Sequence, residues 1–113
     1  MKRVIKFRAW DAINNRFIYS ENPPSFSFWK WYEYSPDYPL MEFTGLTDLN
    51  GCEIYEGDIL TNKDDIKREV YFSDGMFKVT PNMLITYFDV KIGNKYENPE
   101  FLTEIINKNE EEN

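Results

Sequence analysis

The sequence predicts a mainly β protein, α+β with short helices, on three observations. Aromatic residues make up 18% of the chain, as 9 Phe, 8 Tyr and 3 Trp, and such side chains pack well on the pleated surface of strands. Residues 4–10 and 88–92 alternate between apolar and polar, the period of a half-buried strand. Asn50-Gly51 and Asp74-Gly75 are the strongest short signals for hairpin turns. At 113 residues the chain has the size of one ordinary domain, able to bury about two thirds of its unfolded surface.

Taken in order, Ile5, Phe7 and Ala9 fall on one face of the first strand and Lys6 and Arg8 on the other. Residues 11–15 supply turn chemistry, and 17–19 read as the returning strand. Residues 23–39 carry Pro23, Pro24, Pro36 and Pro39 among Phe26, Phe28, Trp29, Trp31, Tyr32, Tyr34 and Tyr38. That mixture argues against a long regular element yet is too apolar for disorder, so an ordered loop or edge segment is expected. Asn50-Gly51 predicts a type I′ turn with both residues at positive φ. Gly57 is expected at positive φ, with Asp58 bonding back to the turn amides. Residues 70–72 and 76–80 form a hairpin about Asp74-Gly75, and 88–92 a last strand closed by Gly93-Asn94. Asn98-Pro99-Glu100 reads as the start of a short helix with Asn98 as N-cap, followed by a polar tail over 107–113. The expected organisation is a β-rich part with an aromatic loop over 1–52, a small barrel with its helix over 53–106, and the acidic tail.

The net charge of −7, of which the tail supplies −2, argues against binding a phosphate backbone, whose affinity comes from clustered Lys and Arg. One cysteine, Cys52, excludes an intramolecular disulfide, and no apolar run follows Lys2 and Arg3. No run approaches the ~20 residues that cross a bilayer. A soluble, cytoplasmic protein is expected, with no membrane contact.

There is no histidine, which removes the commonest general base and the imidazole of most catalytic zinc sites. Cys52 without such a base reads as a small strand residue rather than a nucleophile. Asp48, Asn50, Glu53, Glu56 and Asp58 invite a carboxylate metal or glycosidase reading. An EF-hand register through Gly51 fails, because its first and twelfth positions would be Leu46 and Gly57. Turn chemistry explains the cluster better. The 5 glycines form no phosphate-binding loop, and the aromatic stretch lacks the basic groove that single-stranded nucleic acid requires. No cofactor and no metal are expected.

Several short motifs in order carry a resemblance: Lys6-Phe7-Arg8-Ala9-Trp10-Asp11, then Phe43-Thr44-Gly45-Leu46, then Asn50-Gly51 with Glu53-Ile54-Tyr55-Glu56-Gly57-Asp58-Ile59, and finally Ile92-Gly93-Asn94 with Tyr96-Glu97-Asn98-Pro99-Glu100. The chain resembles the YopX family of phage and prophage proteins over residues 1–102. The resemblance implies a largely β protein with short helices and no established activity. It departs from the family pattern in the aromatic stretch and at Cys52, where a polar residue is usual. Residues 55–79 also look like the start of an SH3-like barrel, so the expected fold is an N-terminal β-rich part plus a small, partly open SH3-like barrel closed by a short C-terminal helix.

The functional expectation is a non-enzymatic accessory protein that binds another protein, itself or a host factor, through Phe26, Phe28, Trp29, Trp31, Tyr32, Tyr34 and Tyr38, since interfaces are enriched in such residues. A homo-oligomer is the simplest form. The alternatives are an acidic mimic of nucleic acid that blocks a host protein, and a carboxylate site around Glu53, Glu56 and Asp58.

Overall fold

The computed structural model describes residues 3–34, 37–86 and 89–112, with 106–112 described by backbone alone. Among the described residues nine strands and two helices follow in the order β1 (Phe7–Asp11), β2 (Arg16–Tyr19), α1 (Phe26–Glu33), β3 (Leu40–Thr47), β4 (Glu53–Tyr55), β5 (Asp58–Thr61), β6 (Arg68–Ser73), β7 (Met76–Val79), β8 (Met83–Leu84), β9 (Val90–Asn94) and α2 (Pro99–Glu112). The fold is mainly β with helices in a supporting role. One antiparallel sheet runs β2-β1-β3-β4, and a second, curled into a half-barrel, runs β8-β7-β6-β5-β9.

Pairing of Arg8 with Tyr19, Trp10 with Phe17 and Arg8 with Met41 puts these side chains on one face of the first sheet, turned toward the second. Phe7, Ala9 and Ile18 occupy the opposite face, where the Phe7 ring meets Trp29 of α1 at 5.4 Å. The first strand therefore has no wet face. Arg8, expected among the solvent-facing residues, is 1% exposed. Period 2 sorts residues into two faces but does not say that one of them is solvated.

α1 replaces the loop expected over 23–39. The prolines bracket the helix instead of interrupting it. Ser25 caps it, its hydroxyl accepting the Phe28 N–H at 3.1 Å, and Glu21 accepts the Ser25 N–H at 3.3 Å.

The Asp74-Gly75 turn is as expected, with φ of 54° and 78° joining Ser73 to Met76. The Asn50-Gly51 turn differs. Only Gly51 has positive φ, at 82°, and the turn is wound around Asp48, whose Oδ1 accepts the N–H groups of Asn50 and Cys52 at 2.9 and 2.8 Å. Asp48 Oδ2 accepts the Lys91 N–H at 2.9 Å, and the Leu49 N–H donates to the Asp89 carbonyl at 3.0 Å. These two bonds moor the turn of the first sheet to the start of β9 in the second.

Ile54, Leu60, Val70 and Val79 form the core cluster of the barrel side, with Ile85 packed against it, each fully buried aliphatic side chain contributing about 1.5–3 kcal/mol. β9 begins at Val90; Phe88, expected at its start, lies outside the described residues. α2 opens at Pro99 with Glu100 in its first turn, as the sequence predicts, and its backbone continues to Glu112, so 107–112 extend the helix where a tail was expected. Asn98 closes differently from the predicted cap: its Oδ1 accepts the Asn94 N–H at 3.2 Å and sits over Gly93, where an added Cβ would come within 2.2 Å of that oxygen. Gly93 is the residue that makes room for the turn.

Candidate functional site

Two regions gather the residues singled out by sequence. The first is buried between the sheets. Arg8 Nη2 donates to Asp58 Oδ1 at 2.8 Å and to the Glu56 carbonyl at 3.1 Å, and its guanidinium lies over Phe17 and Tyr55, 4.1 and 4.8 Å from their centroids. Asp58, 0% exposed, also accepts the Tyr55 N–H through Oδ2 at 2.8 Å, as expected of a residue bonding back to its turn, and faces Lys91 Nζ at 3.2 Å. Trp10 stacks on Tyr96 at 5.7 Å and meets Phe17 edge-on at 4.8 Å. Motif residues from the beginning, middle and end of the chain thus converge on one buried spot. Burial, with the Glu53 charge beside it, pushes the Tyr55 hydroxyl up to about 12.

The remaining motif residues organise turns. Asp11 accepts the N–H groups of Ile13 and Asn14 and the Asn14 side chain, the last at 2.7 Å; that side-chain bond leads the effects that hold its carboxyl down at about 2, against the opposing cost of burial. Gly57 has φ of 85°, as expected. Asn94 Oδ1 accepts the N–H groups of Tyr96 and Glu97, and its amide donates to Glu97.

The carboxylates that invited a metal or glycosidase reading do not assemble into a site among the described residues. Glu53 pairs with Lys6, Glu56 accepts the Glu42 N–H at 2.7 Å, Asp48 moors its turn and Asp58 holds Arg8. Among the described residues no group of three or more acidic or cysteine side chains is placed to hold a metal ion. Cys52 is exposed.

The second region is α1. Its aromatic residues divide by face: Phe28 is buried, Trp31 and Tyr32 are half-buried, and Tyr38 packs on Trp31 at 5.9 Å. Phe26 and Tyr34 face outward, 81% and 74% exposed, with Lys30 over the Tyr34 ring at 5.3 Å, while Trp29 packs its ring on Phe7 and Tyr32. Between α1 and β2 opens a cleft of about 230 Å³ lined by Ile18, Tyr19, Glu21, Ser27, Phe28 and Trp31. Sequence reasoning missed Ile18, Tyr19 and Glu21, and Lys91 beside Asp58. The β2 residues carry no motif, and Lys91 reads as one more polar residue of an alternating strand.

The YopX protein family model matches residues 25–103, from the N-terminus of α1 to the first turn of α2. The chain belongs to the YopX protein family. Within this YopX protein, Asn50, Gly51, Tyr55, Glu56, Gly57, Asp58, Asn94, Tyr96, Glu97 and Asn98 lie inside the matched span, and Arg8, Trp10 and Asp11 precede it. The fold is similar to the crystal structure of protein EF1440 from Enterococcus faecalis, with a TM-score of 0.62 and 26% identity over 89% of this chain and 99% of that one. No curated protein matches this YopX protein. No helix among the described residues is long and apolar enough to cross a membrane.

Proposed function

We propose that this YopX protein is a non-enzymatic accessory protein of a phage or prophage that works in the host cytoplasm by binding another protein, with the outward face of α1 as the contact. One observation carries this reading. Phe26 and Tyr34 stand 81% and 74% exposed at the two ends of one short helix, and exposed aromatic rings mark interaction surfaces more often than ordinary surface. The surface is narrower than the set of seven aromatic residues, since Phe28, Trp29, Trp31, Tyr32 and Tyr38 pack against other rings of the fold.

Self-association is its simplest form. Light scattering on the purified protein is expected to give a particle above the chain mass of 13.6 kDa, reduced to one chain in the Phe26→Ser/Tyr34→Ser variant. A parent protein that is monomeric at high concentration, and captures the same lysate proteins as that variant, overturns the reading. The acidic-mimic alternative has less support, because Asp11, Asp48, Glu56 and Asp58 turn onto backbone amides and cations rather than outward in a ladder.

A further inference from the structure

Where the contact face is α1, its neighbour β2 supplies the rest of a seat. β2 is the outer strand of its sheet, and no strand pairs with its far side among the described residues. The Ser20 N–H donates to the Phe7 carbonyl at 2.8 Å, so Phe7 and Ser20 form a hydrogen-bonded pair. By the alternation of an antiparallel ladder Ala9 and Ile18 form the next. The N–H and C=O groups of Phe17 and Tyr19 therefore point away from β1, toward the open edge.

Side-chain direction places a pocket beside that edge. Ile18 lies on the face that α1 covers, while Phe17 and Tyr19 lie on the face turned to the second sheet. An added strand puts the side chain opposite Ile18 on the α1 side, where the cleft of about 230 Å³ opens. Its walls are Ile18, Tyr19, Phe28 and Trp31, and among the described residues Glu21 is the charged group lining it. The Glu21 carboxyl is held below the usual range, first by its own backbone N–H and then by Ser25, so it is anionic at neutral pH. A long aliphatic stem ending in a cation fits such walls, because the stem covers apolar surface while the charge meets the carboxylate and the rings. The net charge of −7 adds long-range attraction for a basic partner.

We infer that β2 and the cleft beside it bind an extended peptide segment of a partner protein, by strand addition along Phe17 and Tyr19 with one arginine or lysine side chain seated between Trp31 and Glu21. The inference rests on the protein-binding reading and names the chemistry of the partner.

The test is a titration of the full chain with the capped peptide Val-Thr-Arg-Thr-Val, followed by backbone amide NMR, beside the same peptide with Glu or norleucine at its centre. The expected result is a set of shifts at Phe17, Tyr19, Glu21 and Trp31, with the arginine peptide binding about fivefold tighter than the norleucine peptide and the glutamate peptide weakest. Glu21→Gln is expected to erase the preference for arginine over norleucine while leaving the binding of norleucine unchanged, which separates a lost contact from a lost fold. Absence of shifts at β2, or equal binding of the three peptides, overturns the inference. So does the appearance of the same shifts on concentrating the protein without peptide, which assigns the edge to a second copy. The two readings fail separately: Phe26→Ser/Tyr34→Ser leaves peptide binding at β2 intact, and loss of partner capture in that variant alone, with no peptide bound, keeps the α1 face and removes the seat.

Discussion

Replacing Asp58 with alanine removes a carboxylate that is wholly buried and holds three groups at once. Arg8, 1% exposed, is left with the Glu56 carbonyl at 3.1 Å as its hydrogen-bond acceptor, while the Tyr55 N–H loses its acceptor at 2.8 Å. Breaking a buried ion pair from one side costs about 3–5 kcal/mol, and an orphaned buried donor about 1–3 kcal/mol. The two overlap, because the chain relaxes once for both. A loss of about 4–5 kcal/mol is expected, a drop of about 15–20 °C in Tm for a domain of this size. Arg8→Met should cost less, about 3 kcal/mol, because Asp58 keeps the Tyr55 N–H and Lys91 Nζ at 3.2 Å and methionine retains part of the packing against Phe17 and Tyr55. The double variant should recover about 2 kcal/mol of the summed losses, since neither charge is then left without its partner. Urea unfolding followed by circular dichroism and tryptophan fluorescence measures all four corners of the cycle. A loss below about 1 kcal/mol for Asp58→Ala, or strict additivity in the double variant, would falsify the claim that this pair joins the sheets.

Other outcomes follow from the same geometry. The lowered Asp11 carboxyl, at about 2 in the folded chain against 3.8 ordinarily, contributes stability that is present above pH 3.8 and fades as the pH falls toward 2; Asp11→Asn should flatten that part of an acid-unfolding curve. Tyr55, raised to about 12, stays protonated in the native state while its unfolded counterpart ionises near 10, so alkaline titration of tyrosine absorbance should show it as a late group, beside Tyr38, which burial and then Asp11 also push up, with falling stability between those values. Gly57→Val forces a β-branched residue to φ of 85° with Met41 Sδ 3.3 Å from the new Cβ, a cost of about 2–3 kcal/mol in a thermal melt. Asn98→Ala should cost on the order of 1 kcal/mol. Gly93→Ala should cost more alone than in the Asn98→Ala background, because the clash at 2.2 Å is with Asn98 Oδ1.

The hairpins were legible because their determinants are local. Asp74-Gly75 needs two left-handed residues and the sequence offers two that tolerate it, and Asp11 winds its turn from within three residues. Asn50-Gly51 misled because Asp48, two residues upstream, competes for the same amides and enlarges the loop. α1 was illegible because a helix of eight residues offers about two turns of periodicity, and both its inner and its outer face are aromatic. Composition marked the stretch as aromatic and could not divide Phe28 from Phe26. The buried role of Arg8 depends on a residue 50 positions away, and no local pattern encodes what will cover a strand. Glu21 and Ile18 gain interest only from the open edge and the cleft beside them.

That separation also sets a clock on synthesis. β1 and β2 leave the ribosome with Arg8, Trp10 and Phe17 packed on one another but uncovered by the second sheet, since Asp58 and Tyr55 have yet to be translated. At about 5–20 residues per second the wait from Tyr19 to Asp58 is roughly 2–8 s, far longer than a hairpin takes to form. The nascent hairpin spends that interval as a ribbon with one face uncovered and its edges open, the species on which a chaperone or a neighbouring nascent chain would first act. Yield from slow and fast translation should therefore differ more for this protein than for a fold whose early strands bury only against each other.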